Sequence, residues 1–160
     1  MPQQPPPLGP EQVAYLEAAA SILVGTSTAE LQPEVVRGVA VRALPGGERV
    51  QVFVPAALAQ RTLANVAATS RLAVTTAGVP TYNTIQLKGR VAAVRDATDA
   101  ERDLAATYRH GFAAEFAWAG AIVGQRAVGV WPCKVFELAI EMIYIEAPAP
   151  LDFPAERPRP

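Results

Sequence analysis

The sequence predicts a mainly β protein, a six-stranded antiparallel split β-barrel with helices over its openings. Three observations predict it. Six stretches in the middle of the chain carry alternating or β-branched apolar patterning. Several of the links between them are too short for the crossovers that parallel strands require. Three stretches of helical spacing, one before the strands and two between groups of them, suit covers for a closed sheet, and closure removes exposed edges.

In order along the chain, Pro10 suits a first helical position, and Val13, Leu16 and Ala20 then share one helix face. Ser21 to Ser27 is apolar and β-branched, a buried strand. Glu34 to Leu44 alternates as a second strand. Leu44-Pro45-Gly46-Gly47-Glu48 has turn chemistry, and Arg49 to Val54 returns with Val50, Val52 and Val54 on one face, which makes a hairpin. A second helix opens at Pro55, with Leu58, Ala59, Leu63 and Val66 as its apolar stripe, and ends near Thr69-Ser70. Arg71 to Thr76 and Asn83 to Arg95 are strands. Thr98-Asp99-Ala100-Glu101 is a capping-box pattern that starts a third helix, whose buried side is Leu104, Tyr108, Phe112 and Phe116. Lys134 to Ala147 is the last strand, with Phe136, Leu138, Ile140, Met142 and Tyr144 on one face.

Length and composition set the frame. A chain of 160 residues with 51% apolar and 18% charged residues is long enough to bury a core as one globular domain. The formal net charge of −1 gives no whole-surface attraction to nucleic acid or to acidic membranes. Ten of the fifteen prolines lie at the two ends, so residues 1–10 read as a proline-rich arm, 11–147 as the folded domain and 148–160 as a proline-rich tail. Cys133 is the lone cysteine, which suits a reducing compartment and a buried apolar role. No stretch has the form of a signal peptide or a membrane-spanning helix, so the expected location is the cytoplasm.

Common catalytic signatures are missing: no glycine-rich dinucleotide fingerprint, no phosphate loop, no Gly-x-Ser-x-Gly turn. His110 is the sole histidine, so a multi-histidine metal site has no support, no metal is expected, and a surface helix position is its plain reading. The catalytic residues are not identified. Three cations stand out instead. Arg37 and Arg42 sit in an apolar strand, where a long cation must reach solvent or meet an anion. Arg61 lies early in the second helix beside Thr62, where the helix dipole and guanidinium geometry both favour an anion. These arginines would either converge on a phosphate or face solvent separately. Arg37 and Arg42 are five apart, so strict alternation sends them to opposite faces. Sharing one anion would need a bulge near Gly38 and an irregular ladder there. Further on, Thr84, Gln86 and Lys88 share a polar face opposite Ile85 and Leu87, which suits solvent or a wet cleft between two copies. Trp118 and Trp131 read as packing residues.

The order of elements and the run Arg37-Gly38-Val39-Ala40-Val41-Arg42 resemble the pyridoxamine 5'-phosphate oxidase-like FMN-binding split-barrel family, whose strands carry Arg-x-Val/Leu-x-x-Lys/Arg. Gln60-Arg61-Thr62 falls at the family's phosphate clamp, Ser70-Arg71-Leu72-Ala73-Val74 keeps its helix-to-strand spacing, and Gly89 in Thr84 to Val91 matches its recurrent glycine. The likeness covers Ser21 to Ile145. It implies FMN as cofactor, with Arg37, Arg42, Arg61 and Thr62 on the phosphate and ribityl chain and Val39 and Ala40 offering backbone to the ring. It implies a homodimer with flavin sites between the subunits, and an FMN-dependent oxidoreductase of unknown substrate. Three departures stand out: Thr62 replaces the clamp's lysine, the later strand has Thr84 where glutamine is usual (with Gln86 as a substitute), and no counterpart exists of the oxidase's C-terminal substrate segment. The alternatives are a non-enzymatic flavin-binding or sensing module, a haem or deazaflavin barrel, with His110 the one histidine for haem, and a barrel used only for dimerisation and protein contacts.

Overall fold

The computed structural model describes residues 7–18, 21–78, 81–118 and 130–146. The proline-rich tail, most of the N-terminal arm, Ala20 and the side chains of Phe116 and Trp118 lie outside the described residues. Helix α1 (Pro10–Ala18) leads into strand β1 (Ser21–Ser27), then β2 (Pro33–Arg37), β3 (Ala40–Ala43) and β4 (Arg49–Pro55). A 3-10 turn (Ala56–Leu58) precedes α2 (Gln60–Thr69), followed by β5 (Arg71–Ala77) and β6 (Thr84–Asp96). A second 3-10 turn (Asp99–Glu101) opens α3 (Arg102–Trp118), and β7 (Cys133–Glu146) completes the fold. The architecture is mainly β, one antiparallel sheet in the order β2-β1-β5-β6-β7-β4-β3.

Seven strands stand where the patterning predicts six, because the second strand breaks at Gly38 and Val39. Its two halves pair at opposite edges of the sheet. Gly38 donates its amide to Ile22 of β1 at 2.9 Å, and the next residue, Val39, donates to Phe53 of β4 at 2.9 Å. Passing from one edge to the other within two residues forces the sheet to curl. A side chain at Gly38 would put its Cβ 2.6 Å from Ile22 Cγ2, so the seam admits glycine and little else.

Alternation then sorts the residues. Ile22, Val24, Val50, Val52, Val54, Val74, Leu87, Phe136 and Leu138 fill the interior, each of them at most 1% exposed. Burial of a side chain of this size contributes about 1.5–3 kcal/mol against leaving it in water. A second cluster, Val39, Ala40, Phe53, Ala105, Cys133 and Val135, lies on the outside of the sheet beneath the start of α3 and Trp131. Cys133 is buried there, and desolvation pushes its thiol up to about 11.

The last strand departs from its expected single face. The register slips between Lys88 and Gly89, leaving Glu141 as an extra residue, so Ile140 is buried while Met142 and Tyr144 turn outward at 43% exposure each. A Cβ at Gly89 would fall 1.9 Å from the Ala139 carbonyl oxygen, so the bulge is closed around glycine. The second helix also departs from its expected stripe. The 3-10 turn shifts the phase, Leu58 is exposed, and Thr62, Asn65 and Val66 face inward with Ala59 buried before them.

Candidate functional site

Arg37 ends β2 opposite Leu23, which is exposed while its neighbours Ile22 and Val24 are buried, so Arg37 belongs to the outer face. Arg42 pairs with Gln51, between the interior residues Val50 and Val52, and also faces out. The break at Gly38 and Val39 thus restores to one face two arginines that regular alternation would separate. Both then lie along α3 and its lead-in.

Their surroundings differ. The Arg37 guanidinium stacks 5.0 Å from the Phe112 ring centroid and lies beside the Tyr108 hydroxyl, on a residue that is exposed as a whole. Arg42 is held on two sides: its Nε donates to Gln51 Oε1 at 3.1 Å, its Nη2 to Gln51 Oε1 and to Glu101 Oε1 at 2.5 Å each, and it lies 5.7 Å from the Phe53 centroid. Glu101 also receives both Nη atoms of Arg95 at 2.8 Å and the Thr98 amide at 2.9 Å, the latter completing the capping box. The Arg95 fork, with the Thr98 amide and Arg42, holds the buried Glu101 carboxyl far below the usual carboxylate range, against the opposing effect of burial. A carboxylate this well paired was not legible as such in the sequence; only its capping role was.

Arg61 is in the first turn of α2, exposed, and has no hydrogen-bond or ion-pair partner among the described residues. That turn has no acidic residue, and its N-cap, Ala59, supplies no side-chain acceptor. Thr62 turns the other way. It is 1% exposed, on the helix face that also carries Asn65, and its hydroxyl has no partner among the described residues. Asn65 Nδ2 donates to Thr26 Oγ1 at 3.0 Å and to Glu34 Oε2 at 3.3 Å, which fixes that face over the ends of β1 and β2. No described contact joins Arg61 and Thr62 to Arg37 and Arg42.

Val39 and Ala40 are buried in the outer cluster, and the Val39 amide is taken by Phe53. Thr84 and Gln86 are half-buried on the outer face of β6, as their alternation with Ile85 and Leu87 implies. Gln86 Nε2 donates to Thr75 Oγ1 at 2.8 Å, and Thr84 Oγ1 to the Tyr82 carbonyl at 3.1 Å. The register connects Gln86 to Arg37. Arg37 faces Leu23, Leu23 faces Thr75, Thr75 faces Gln86 and Gln86 faces Tyr144, one row across five strands. At about 4.8 Å per strand, Arg37 and Gln86 are about 14 Å apart along it. One row over, Gly25, Ala73 and Lys88 floor an open trough of about 370 Å³ walled by Val35 and Met142. Lys88 Nζ sits 4.8 Å from the Tyr144 centroid. The sequence reading missed this trough, whose signal was the run of small residues at alternate positions of β1 and β5.

His110 is exposed on α3, and Trp131 packs in the outer cluster with Arg102 5.3 Å from its ring centroid. No helix among the described residues is long and apolar enough to cross a membrane.

No family model and no curated protein matches the sequence. Solved structures do match the fold. A Lactobacillus delbrueckii protein with a provisional assignment as a pyridoxamine 5'-phosphate oxidase is 16% identical, with a TM-score of 0.56 over 88% of this chain and 95% of its own. An F420 reductase is 12% identical, with a TM-score of 0.53 over 86% and 98%. An FMN-binding protein of Syntrophomonas wolfei is also 12% identical, with a TM-score of 0.50 over 84% and 86%. The alignments run over nearly the whole length of these proteins, and the chain has the split-barrel fold of the pyridoxamine 5'-phosphate oxidase-like proteins.

Proposed function

We propose that the chain is an FMN-binding flavoprotein, working as an FMN-dependent oxidoreductase in a cytoplasmic homodimer whose flavin sites lie between the two subunits. The observation that carries this reading is the first turn of α2. A cation there opposes the helix dipole, and an alanine N-cap leaves amides unsatisfied. A phosphate monoester bound at that turn relieves both, with Arg61 as its counter-ion. Thr62, its hydroxyl turned into the barrel, would contribute its backbone amide to that group. Arg42 is committed to Glu101 and would act on the flavin through position alone.

The outer face supplies the second half. The row from Arg37 to Gln86 and the small-residue trough beside it offer a flat surface with polar ends, which suits a planar ring and its ribityl chain. Thr84 extends the polar end of that surface. Because no described contact joins Arg61 to this row within one chain, the reading places Arg61 of one copy against the row of the other. Bound FMN would supply the redox chemistry, and the protein would position it and exclude water. The likeness in fold to an FMN-binding protein and to an F420 reductase supports a flavin-type cofactor.

The test is a visible absorption spectrum of the purified protein, with mass identification of whatever denaturation releases. Flavin bands, FMN in the supernatant and bleaching by a reduced nicotinamide with recovery in air are the expected results. A colourless protein that takes up no added FMN would end the reading. A yellow protein inert to every reductant would leave a binding module in place of an oxidoreductase. Mixing Arg61→Ala and Gln86→Ala chains should restore one site in each mixed dimer, which a site within one chain would not allow.

A further inference from the structure

Between α1, α3 and β3 lies a cavity of about 550 Å³, less open than the trough on the outer face. Its volume is that of a small-molecule site. Ile22, Val41 and Leu104 make its walls apolar, and its two charged lining residues, Arg42 and Glu17, are of opposite sign. Each already holds a partner. Glu17 accepts the Ala43 amide at 3.0 Å, and Arg42 is held by Gln51 and Glu101.

Two features of α3 point to an occupant. The Tyr108 hydroxyl is buried at this cavity and makes no hydrogen bond of sound geometry among the described residues, although Arg37 and the Ile22 backbone lie beside it. A buried hydroxyl left unmatched is costly, and a ligand oxygen or nitrogen would match it. Gly111 lines the same cavity one turn further on, in the middle of a 17-residue helix, where glycine weakens the helix. Apart from its chain neighbours and the helix's own backbone, no described atom comes within 4 Å of where its Cβ would be. Packing against the described residues therefore does not require glycine there, and a side chain at this edge of the cavity would meet open space.

We infer that this cavity binds a small, uncharged, largely apolar ring compound bearing one hydrogen-bonding group, and that Glu101 sets the preference for an uncharged ligand by occupying Arg42. An anionic ligand would have to compete with a buried carboxylate for that guanidinium and would be seated beside Glu17. The inference does not rest on the flavin reading: Arg42 borders both, but the proposed phosphate and ring positions use neither Tyr108 nor Gly111.

Calorimetric titration of the intact protein with 2-naphthol and with 2-naphthyl phosphate, the same ring with and without charge, tests it. The expected result is at least tenfold tighter binding of 2-naphthol. Gly111→Leu, which fills the cavity and improves the helix, should weaken 2-naphthol at least tenfold while the Tm is unchanged or higher and FMN content is unaltered. Glu101→Gln should shrink the preference at least tenfold by releasing Arg42. Absence of 2-naphthol binding, equal binding by the Gly111→Leu protein, or a preference for the phosphate in the unmodified chain would overturn the proposal. So would loss of FMN together with 2-naphthol in Gly111→Leu, which would make the cavity part of the flavin site. Should Glu101→Gln fail to fold, the preference of the unmodified protein and the Gly111→Leu result decide.

Discussion

Arg42 and Arg95 share a buried carboxylate at the start of α3, whereas Arg61, in the first turn of α2, has no partner among the described residues. Both places set guanidiniums beside the start of a helix. At α3 the capping box brings Glu101 into a position where the anion also answers two cations from the sheet. At α2 the cap is alanine, no acid stands in the first turn, and the cation remains. The first arrangement stabilises the fold; the second leaves an electrostatic demand that a bound anion would meet. An arginine in an apolar strand and an arginine in a helix look alike in sequence, and only the carboxylate 59 residues from Arg42 separates their roles.

The two helix starts should differ most in their response to substitution at Glu101. Removing its carboxylate in Glu101→Ala strands Arg42 and Arg95 and strips the cap. The expected loss is about 2–3 kcal/mol, below the 3–5 of a fully buried pair because the two arginine side chains are 36% and 40% exposed. A urea midpoint shift at unchanged slope measures it. The same carboxyl has a pH signature. Its folded pKa is depressed relative to an unfolded value of about 4.3, so its contribution is complete above that value and falls away as pH drops toward the folded one. Acid titration of stability should therefore steepen below about pH 4 in the unmodified chain, and Glu101→Gln should remove that part of the slope. An identical acid limb in both proteins would show that other carboxylates dominate.

Arg61→Ala tests the other side of the comparison. A charge-assisted hydrogen bond to phosphate is worth about 1.5–3 kcal/mol, so FMN should dissociate roughly ten- to a hundredfold more readily. Stability without FMN should move by less than about 0.5 kcal/mol, since the side chain is exposed and makes no described hydrogen bond or ion pair. Equal retention of FMN in the variant and the unmodified protein would place the phosphate elsewhere.

Local signals carried much of the fold. The β3–β4 hairpin follows from its turn residues, and the capping box from four consecutive letters. The break of one expected strand into β2 and β3 was hinted at only by the five-residue spacing of Arg37 and Arg42, which required an irregularity near Gly38 if both were to reach one anion. What the letters hid was long-range: that Glu101 meets Arg42, that Glu141 bulges and turns Met142 and Tyr144 outward, and that a 3-10 turn rotates α2 until Thr62 and not Leu58 faces the barrel. Each depends on register or on partners tens of residues away, which periodicity within one element does not encode.

The smallest expected effect separates the two helix starts most cleanly, because it changes sign between two readouts. Arg61→Glu places an anion where the dipole of α2 favours one, so the protein without FMN should gain about 0.3–1 kcal/mol, diminishing as salt is added. The same substitution sets a negative charge where the phosphate would bind, so FMN retention should fall further than in Arg61→Ala. A purely structural arginine would give a single direction, with stability and FMN falling together. Gain of stability alongside loss of flavin is what an anion site at an uncapped helix requires.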